Sequence, residues 1–386
     1  MKSILFLIFT ILYLNFILNA QNSCLVIDNS GGTFSSPVTT TDVGEMKYVI
    51  VNIHFIQKSD GTGNFTEDDD GFGNPYTGYN VAFDVLDWMN LRSNEHLNIP
   101  PNNQLETLPY NVKFIIDAIY FHQSDTYYPN SYSSSCDNQF QINPDNILQI
   151  YYRGNGSAGD YANTVSTTNL DRYTCISTLE TRYATYIYNI THNIYDEFGW
   201  FMHPAAQTTM HELYHLLALS HTVRQPGGIC CSAYPSSSSC GNDYCSDTPS
   251  YYEMINNYGY NPTGNGEPCC GWTNCSDIWC SNNLMDYCGA GALSPCQLER
   301  VHTALDNGLK SFRLCDKLNS PLTIGSFGYP QVSYYGSVVT ISNSSNVPTV
   351  PSSNVSHVYA SDEIVFHEFE VMDGGTFEVF FHNGCQ

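Results

Sequence analysis

Runs of apolar and β-branched residues in the first half of the chain predict the strands of a sheet. The strongest run is Lys47 to Gln57, which contains the sequence YVIVNIHFI, and two further strands are predicted at Val112–Phe121 and Ile147–Tyr152. Between the first two, Val81 to Met89 carries apolar residues near helical spacing and is predicted to be a helix. This half of the chain is therefore expected to contribute a sheet and a helix.

A second helix is predicted to begin after Pro204 and to run through Leu217, because the fixed backbone of proline suits a first helical turn. Strands followed by this helix suggest an α/β upper half with the sheet behind the helix. Residues 223–283 are rich in Gly, Ser, Pro and Cys and are predicted to hold little regular structure. A closing helix is predicted at Pro295 to Lys310.

The C-terminal part of the chain has a different pattern. Ser326–Ser342 and Val355–Phe381 alternate apolar and polar residues, which predicts strands, and residues 373–375 (Asp-Gly-Gly) predict a hairpin turn. These features predict a small all-β C-terminal region. A secretion, anchoring or carbohydrate-contact module and an inert packing module both fit the pattern.

The first twenty residues indicate export from the cell. Lys2 precedes a short, almost unbroken apolar run from Ile4 to Leu18, and Ala20 is suited to cleavage before Gln21, as in a signal peptide. A retained signal anchor is the alternative. No later run is long enough for a membrane span. Six Asn-x-Ser/Thr sequons fit a glycosylated surface and begin at Asn64, Asn155, Asn189, Asn274, Asn343 and Asn354.

The cysteines fit an oxidising compartment. The chain has 15, and ten of them fall between Cys230 and Cys296. Secreted thiols are usually paired, so a disulfide framework is preferred over a zinc cluster, although spacing does not give the pairing. Cys24 stands alone near the predicted mature N-terminus. A disulfide, for example to Cys385, is preferred there over a thiolate that blocks a metal centre.

The net charge of −24 excludes classes of partner that need a basic surface. Thirteen Lys and Arg residues do not readily form the basic patch that nucleic acid or an anionic membrane would require. The acidic run at residues 67–71 (Glu-Asp-Asp-Asp-Gly) could hold calcium but lacks the ligand spacing of an EF-hand loop. A solvated loop is the preferred interpretation.

The strongest chemical signal is the segment from His211 to His221. On a helix, His211 and His215 project from one face and can reach a single cation, while Glu212 lies beside that face, where it can hold a water. His221 lies six residues further on and can supply a third nitrogen. Three imidazoles and a water make the open site of a catalytic zinc. A third ligand from Glu253 or Glu299 is the alternative.

Beyond the zinc motif, the chain resembles the metzincin metallopeptidases, and within them the pappalysin (cytophagalysin-like) family. The resemblance rests on four segments: His211–His221, residues 245–249 (CSDTP), residues 283–287 (NLMDY), and Gln297 with Arg300. It covers residues 46–310 in outline. It departs from the family at Tyr214 and Ala218, where the family usually has Gly, and at Leu293-Ser294, where it has Phe-Thr.

The resemblance implies a role for each matching residue. His211, His215 and His221 would bind one zinc ion, Glu212 would be the general base, and Met285 would form the turn beneath the metal. Tyr287 would stabilise the oxyanion or act as a weak further ligand. Asp247 and Thr248 resemble a stretch near a structural calcium site, although a plain turn explains them equally well.

Together these observations predict an α+β fold. The expected metzincin-like catalytic domain at residues 46–316 has a mixed sheet, an active-site helix and an irregular disulfide-rich lower half. It would follow a signal peptide (1–20) and an N-terminal arm or short pro-segment (21–45), and precede the β-rich region (317–386). The predicted function is a secreted zinc-dependent endopeptidase that cleaves protein or peptide substrates with a water activated by Glu212. A non-catalytic secreted zinc-containing binding or adhesion protein is the alternative.

Overall fold

The computed structural model describes residues 45–69, 75–92, 109–128, 139–153, 204–219, 245, 283–285, 292–343, 346–352, 354–367 and 369–382. It also gives the backbone of three short strands: β1 (Cys24–Ile27), β2 (Thr33–Ser36) and β6 (Tyr173–Ser177). Strands β1 and β2 pair antiparallel within the segment predicted as an N-terminal arm. The predicted signal peptide lies outside these ranges. Within them, no helix is both long and apolar enough to cross a membrane.

The first sheet is parallel throughout its described strands. Strand β3 (Lys47–Gln57) pairs with β4 (Val112–Gln123) and with β5 (Leu148–Arg153), and β5 pairs with β6, giving the order β4-β3-β5-β6. These strands form a mixed α/β arrangement with a parallel sheet, and the antiparallel pair expected of a mixed sheet is not found among them. Parallel neighbours require crossover connections, and helix α1 (Gly78–Arg92) lies between β3 and β4 along the chain.

Two further helices cover the sheet. Helix α2 spans Pro204–Leu216 and helix α3 spans Pro295–Asp306, close to the bounds predicted from the sequence. The main core joins one face of the sheet to all three helices. It includes Val51, Ile53 and Phe55 of β3, which are fully buried, and Leu213 of α2. The sheet therefore lies behind α2, as the order of the elements predicts.

A second sheet occupies the C-terminal part of the chain. Its strands are β7 (Leu322–Ile324), β8 (Ser333–Ile341), β10 (Val355–Phe366) and β12 (Thr376–Phe381), which pair in parallel in the order β12-β10-β8-β7. A separate pair is formed by β9 (Thr349–Val350) and β11 (Glu370–Val371).

The predicted hairpin at residues 373–375 is wrong. A turn is present, since Gly375 N donates to Met372 O over 2.9 Å. However, β11 on one side of the turn pairs with β9, and β12 on the other side pairs with β10. The alternation of apolar and polar residues and the Gly-Gly turn determine only the local conformation. The strands that pair with β11 and β12 lie elsewhere in the sequence.

The second sheet docks on the edge strand β4 of the first. Val332 N donates to Asp117 O over 2.7 Å, and Ile119 N donates to Pro330 O over 2.9 Å. The buried Asp117 carboxylate accepts from Gln331 Nε2 over 2.8 Å and from the Tyr335 hydroxyl. The predicted domain boundary at residues 316–317 stays a prediction, but hydrogen bonds and apolar contacts join the two sheets directly.

One predicted glycosylation sequon lies in the interior. Asn64 is fully buried, and its side-chain nitrogen donates to Ile56 O over 2.9 Å and to Tyr152 O over 3.0 Å. The nitrogen that would carry a glycan therefore holds the loop after β3 against the sheet. Asn64 is excluded as a glycosylation site of the folded protein.

The face of the sheet opposite α2 contains a buried polar network. The Gln149 amide has a fixed orientation, because its nitrogen donates to Ile142 O and Ile147 O. Its oxygen therefore faces His54, and His54 Nε2 donates to it over 2.9 Å. His54 Nδ1 must then accept from His122 Nε2, 2.9 Å away. This bond requires a neutral His54, because a charged ring has no acceptor nitrogen. Burial is the largest cause that lowers the pKa of His54 to about 3 and that of His122 to about 4.

These two histidines predict a loss of stability in acid. In the unfolded chain their pKa is about 6.5, so protonation favours unfolding. Their contribution to stability is complete above that pH and is lost as pH falls towards the folded pKa values of about 4 and 3. In His122→Gln, which keeps a donor for His54, the free energy of unfolding should fall less steeply between about pH 6 and pH 4 than in the wild type. Denaturant titrations at a series of pH values measure this slope.

The matched control is His367→Gln, since His367 is exposed at the end of β10. It should leave the pH dependence as in the wild type. An unchanged slope in His122→Gln would contradict the assignment of acid sensitivity to this pair.

Candidate metal centre

Helix α2 is fixed to the sheet by its buried face. Thr209 Oγ1 and the Tyr152 hydroxyl on β5 share a hydrogen bond of 2.9 Å. Tyr214 is fully buried and makes edge-to-face contacts with Tyr110 and Phe114, at centroid distances of 5.6 and 6.2 Å. Position 214 lies within the helix, where no glycine is needed, and the tyrosine ring fills space beside β4. This departure from the resembled family is therefore accommodated by packing.

Two of the predicted ligands converge as a metal-binding pair would. His211 Nε2 and His215 Nε2 are 3.2 Å apart. Two nitrogen ligands of a tetrahedral zinc, each about 2.0–2.1 Å from the metal, are separated by about 3.3 Å. The spacing of the two histidines one helical turn apart thus produces the expected geometry, and the residues fit a zinc ion.

The protonation of both rings is fixed by backbone carbonyls. His211 Nδ1 lies 2.7 Å from Leu284 O, and His215 Nδ1 lies 2.8 Å from Leu219 O. A carbonyl oxygen only accepts, so each Nδ1 carries the proton and donates. In the neutral rings both Nε2 atoms then present lone pairs towards the same point, which is the arrangement that binds a cation.

Burial helps to keep His211 neutral. Desolvation lowers the pKa of His211, and the hydrogen bond to Leu284 O opposes this shift. Since the charged form of the ring is disfavoured, its Nε2 lone pair is available near neutral pH. This is the form that binds a metal.

Glu212 is placed beside the histidines but not as a third ligand. Its side chain is buried. Among the described residues no three His, Cys, Asp or Glu side chains form a group that could hold a metal ion. His211, His215, Glu212 and Glu299 are all among the described residues, and neither glutamate forms such a group with the two histidines. The alternative with Glu299 as third ligand therefore stays a prediction without support from the described side chains.

Helix α2 ends in a tight left-handed turn. Leu219 N donates to Tyr214 O and Ala218 N donates to His215 O, each over 3.1 Å, which is the paired bonding of a Schellman motif. Ala218 has a φ of 72°, a conformation that glycine adopts without strain. Ala218 therefore makes the sharp turn expected at this position. This turn brings Leu219 O to His215.

The turn at Met285 is held by its own asparagine. Met285 is fully buried, and its backbone N donates to Asn283 Oδ1 over 2.9 Å. Leu284 N also donates to Ala292 O over 2.7 Å. The peptide between Leu284 and Met285 is therefore fixed, and its oxygen, Leu284 O, faces His211. The role of Met285 beneath a metal stays a prediction, and its turn contains the Leu284 carbonyl that accepts from His211 Nδ1.

Several predicted site residues lie outside the described residues. They are His221, Tyr287, the two candidate calcium residues Asp247 and Thr248, and the alternative ligand Glu253. Sequence reasoning named Gln297 and Arg300 only as part of a resemblance and gave them no role. The structure places both at the site, where Gln297 accepts from Asn283 and Arg300 donates to Ala218 O.

One disulfide lies next to these residues. Cys245 and Cys296 are bonded, with Cα atoms 5.6 Å apart, and Cys315 is also disulfide-bonded. These three cysteines are disulfide-bonded, as the predicted framework expects, while Cys230-Cys231 and Cys269-Cys270, where a zinc cluster was the alternative, lie outside the described residues. The Cys245–Cys296 disulfide ties the segment that contains the CSDTP sequence to the start of α3.

Comparisons with known proteins give structural matches of low similarity. No known protein-family profile matches the chain, and no curated protein matches it either. Mature mirolysin from Tannerella forsythia, solved with a cleaved peptide, matches at 18% identity and a TM-score of 0.39, over 68% of this chain and 93% of that one. Mirolysin with compound 9 matches at 17% and 0.38, with the same coverage. Similarity this low does not by itself identify the activity of the chain.

The strained turn at Ala218 predicts a stabilising substitution. In Ala218→Gly, relief of about 1–2 kcal/mol of left-handed strain should exceed the entropy of about 0.4–1 kcal/mol that glycine adds to the unfolded chain. The free energy of unfolding should rise by roughly 0–1.5 kcal/mol, the difference between these two ranges. Denaturant unfolding of the metal-free protein measures this difference.

Ala304→Gly in α3 is the matched control. Ala304 has a helical backbone and should lose about 1 kcal/mol or more on the same change. If both variants were destabilised alike, strain at residue 218 would be refuted.

Proposed function

We propose that the protein is a secreted zinc-dependent endopeptidase of the metzincin type. The observation that carries this proposal is the pair of Nε2 atoms 3.2 Å apart, each with its Nδ1 proton bound to a backbone carbonyl. Such a pair, on a helix that also carries a buried glutamate between the two histidines, supports hydrolytic metal chemistry. A helix with ordinary surface histidines would not need both rings fixed in the same tautomer.

His211, His215 and His221 would hold the ion. A zinc ion bound there supplies a Lewis acid that lowers the pKa of a water towards neutrality and polarises the substrate carbonyl. Two of the three ligands have the required spacing, and His221 follows Leu219 by two residues, directly after the turn at Ala218. A turn at this point allows the chain to double back towards the helix.

Glu212 would be the general base. Its carboxylate would take a proton from the attacking water and return it to the leaving amine. Its buried side chain, on the residue directly after His211, supports this role. Tyr287 would donate its hydroxyl to the oxyanion that develops on the scissile carbonyl.

Membership of the pappalysin family is part of the same proposal. It is supported by the turn at Asn283–Met285, whose carbonyl binds a candidate ligand, and by the contacts of Gln297 and Arg300 with the site. Secretion is supported by the Cys245–Cys296 disulfide and the disulfide-bonded Cys315. Protein or peptide chains are the proposed substrates.

Substitution of the base tests the catalytic role. Glu212→Gln should lower kcat/KM for peptide cleavage by about 10²–10⁴-fold, while zinc content stays at the wild-type level. Cleavage of a mixed peptide library, with zinc measured by atomic absorption, gives both readouts. Glu370→Gln, at an exposed position on β11, is the matched control and should keep full activity.

Two results would count against the proposal. Wild-type activity in Glu212→Gln would remove the glutamate from the mechanism. A purified wild-type protein that binds zinc but cleaves no member of the library would favour a non-catalytic binding protein.

A third-ligand variant tests the metal site itself. His221→Ala should reduce bound zinc well below one ion per chain, because two imidazoles alone do not complete a zinc site. Zinc stoichiometry after dialysis against a weak chelator measures this. Unchanged stoichiometry in His221→Ala, combined with loss of zinc in Glu253→Ala, would transfer the third ligand to Glu253.

A further inference from the structure

We propose that helix α3 is the positioning element of the metal centre, and that its side chains Gln297 and Arg300 each fix the tautomer of one histidine through a backbone carbonyl. The inference builds on the proposed function, because it concerns the same two histidines. It assigns roles to two residues that do not contact the metal. Each role rests on a path of hydrogen bonds that are joined through one or two residues of the backbone.

The first chain runs from Gln297 to His211. Gln297 Oε1 accepts from Asn283 Nδ2 over 2.8 Å, and Asn283 Oδ1 accepts from Met285 N over 2.9 Å. These two bonds fix both ends of the turn, and Leu284 O in its centre accepts the Nδ1 proton of His211. Asn283 and Gln297 are 2% and 1% exposed, so water does not readily replace their bonds.

The second chain runs from Arg300 to His215. Arg300 Nη2 donates to Ala218 O over 2.8 Å, and the next carbonyl, Leu219 O, accepts the Nδ1 proton of His215. Ala218 adopts its φ of 72° at a cost in free energy, so the turn needs an external contact that favours it. A charged donor gives a stronger hydrogen bond than a neutral one. Arg300 therefore holds the strained peptide in the orientation that His215 requires.

A single rigid helix carries both side chains. Gln297 and Arg300 are three residues apart and lie on one face of α3. The helix begins with a capping box between Ser294 and Gln297 and is tied by the Cys245–Cys296 disulfide. His302 Nε2 also donates to Tyr110 O over 2.8 Å, next to the ring contact that packs α2. The two turns, around residues 218 and 284, are thus both held by the same helix.

A purely structural role for Arg300 is the competing explanation. A cation beside the carboxyl end of α2 also stabilises that helix through its dipole. Stability alone does not separate the two roles, whereas the tautomer of each histidine does. The two chains of bonds are distinct, so loss of one side chain should affect one ring and leave the other unchanged.

The experiment compares Arg300→Met and Gln297→Met as metal-free, full-length proteins. Long-range ¹H–¹⁵N NMR of histidine-labelled protein should show both His211 and His215 as Nδ1–H tautomers in the wild type. Arg300→Met should lose the single tautomer at His215 and keep it at His211, and Gln297→Met should do the reverse. Zinc affinity from chelator competition should fall about 10–100-fold in each variant.

Matched controls come from the same chain. Arg313→Met removes an arginine that bonds Asp306 at 2.7 Å, and Gln331→Met removes a glutamine that bonds Asp117 at 2.8 Å. Both should keep the tautomers and the zinc affinity of the wild type even if they unfold at lower temperature. Arg300→Lys and Gln297→Glu, which keep a donor and an acceptor, should restore part of the zinc affinity.

The outcomes are distinct from those for the proposed function. Folded Arg300→Met and Gln297→Met with wild-type tautomers and zinc affinity would overturn the inference. If a methionine variant does not fold, the Arg300→Lys and Gln297→Glu variants decide, since a change that affects both histidines alike, or only the histidine of the other chain of bonds, would also overturn it. A wild-type protein without peptidase activity would refute the proposed function and leave the tautomer measurement intact.

Discussion

The structure is organised around two imidazole lone pairs that face each other across 3.2 Å. In the absence of a cation such an arrangement is unfavourable, because two acceptors oppose each other and neither ring can turn without losing its bond to a carbonyl. The fold maintains it by fixing the protons on the far side of both rings, on Leu284 O and Leu219 O. The contacts of Thr209 and Tyr214 hold α2 against the sheet, so that both rings lie beside these carbonyls.

The parallel sheet supplies the rigid support. Its strand β3 is buried on both faces, with an apolar face against the helices and a polar network around His54 on the other. Buried polar groups are tolerated there because each bond of the network has a defined donor and acceptor. The second sheet adds to this support, since its residues 330–335 bond to the edge strand β4 around Asp117. Strand β4 in turn contributes Phe114 to the contacts of Tyr214.

The two departures from the resembled family have different physical consequences. Tyr214 stands inside a helix and gains packing from its ring, so it replaces glycine without backbone strain. Ala218 has a left-handed backbone conformation and is strained. Arg300 helps to hold this strained turn by donating to Ala218 O. The candidate metal centre thus combines a well-packed helix with a strained turn at the end of that helix. Strain at a functional turn is common where the surrounding contacts over-determine the conformation.

Residues that act through local geometry could be predicted from the sequence. The helical period places His211 and His215 together, the fixed backbone of Pro204 starts α2, and an apolar run forms the strand Lys47–Gln57. The structure has all three as expected. The parallel pairing of the first sheet, the separate partners of β11 and β12, and the burial of Asn64 were not predictable in this way. Each depends on which distant segment supplies the other half of a hydrogen bond. The same holds for Gln297 and Arg300, whose side chains acquire a role only because tertiary folding brings α3 beside two turns, around residues 218 and 284, that lie far apart in the chain.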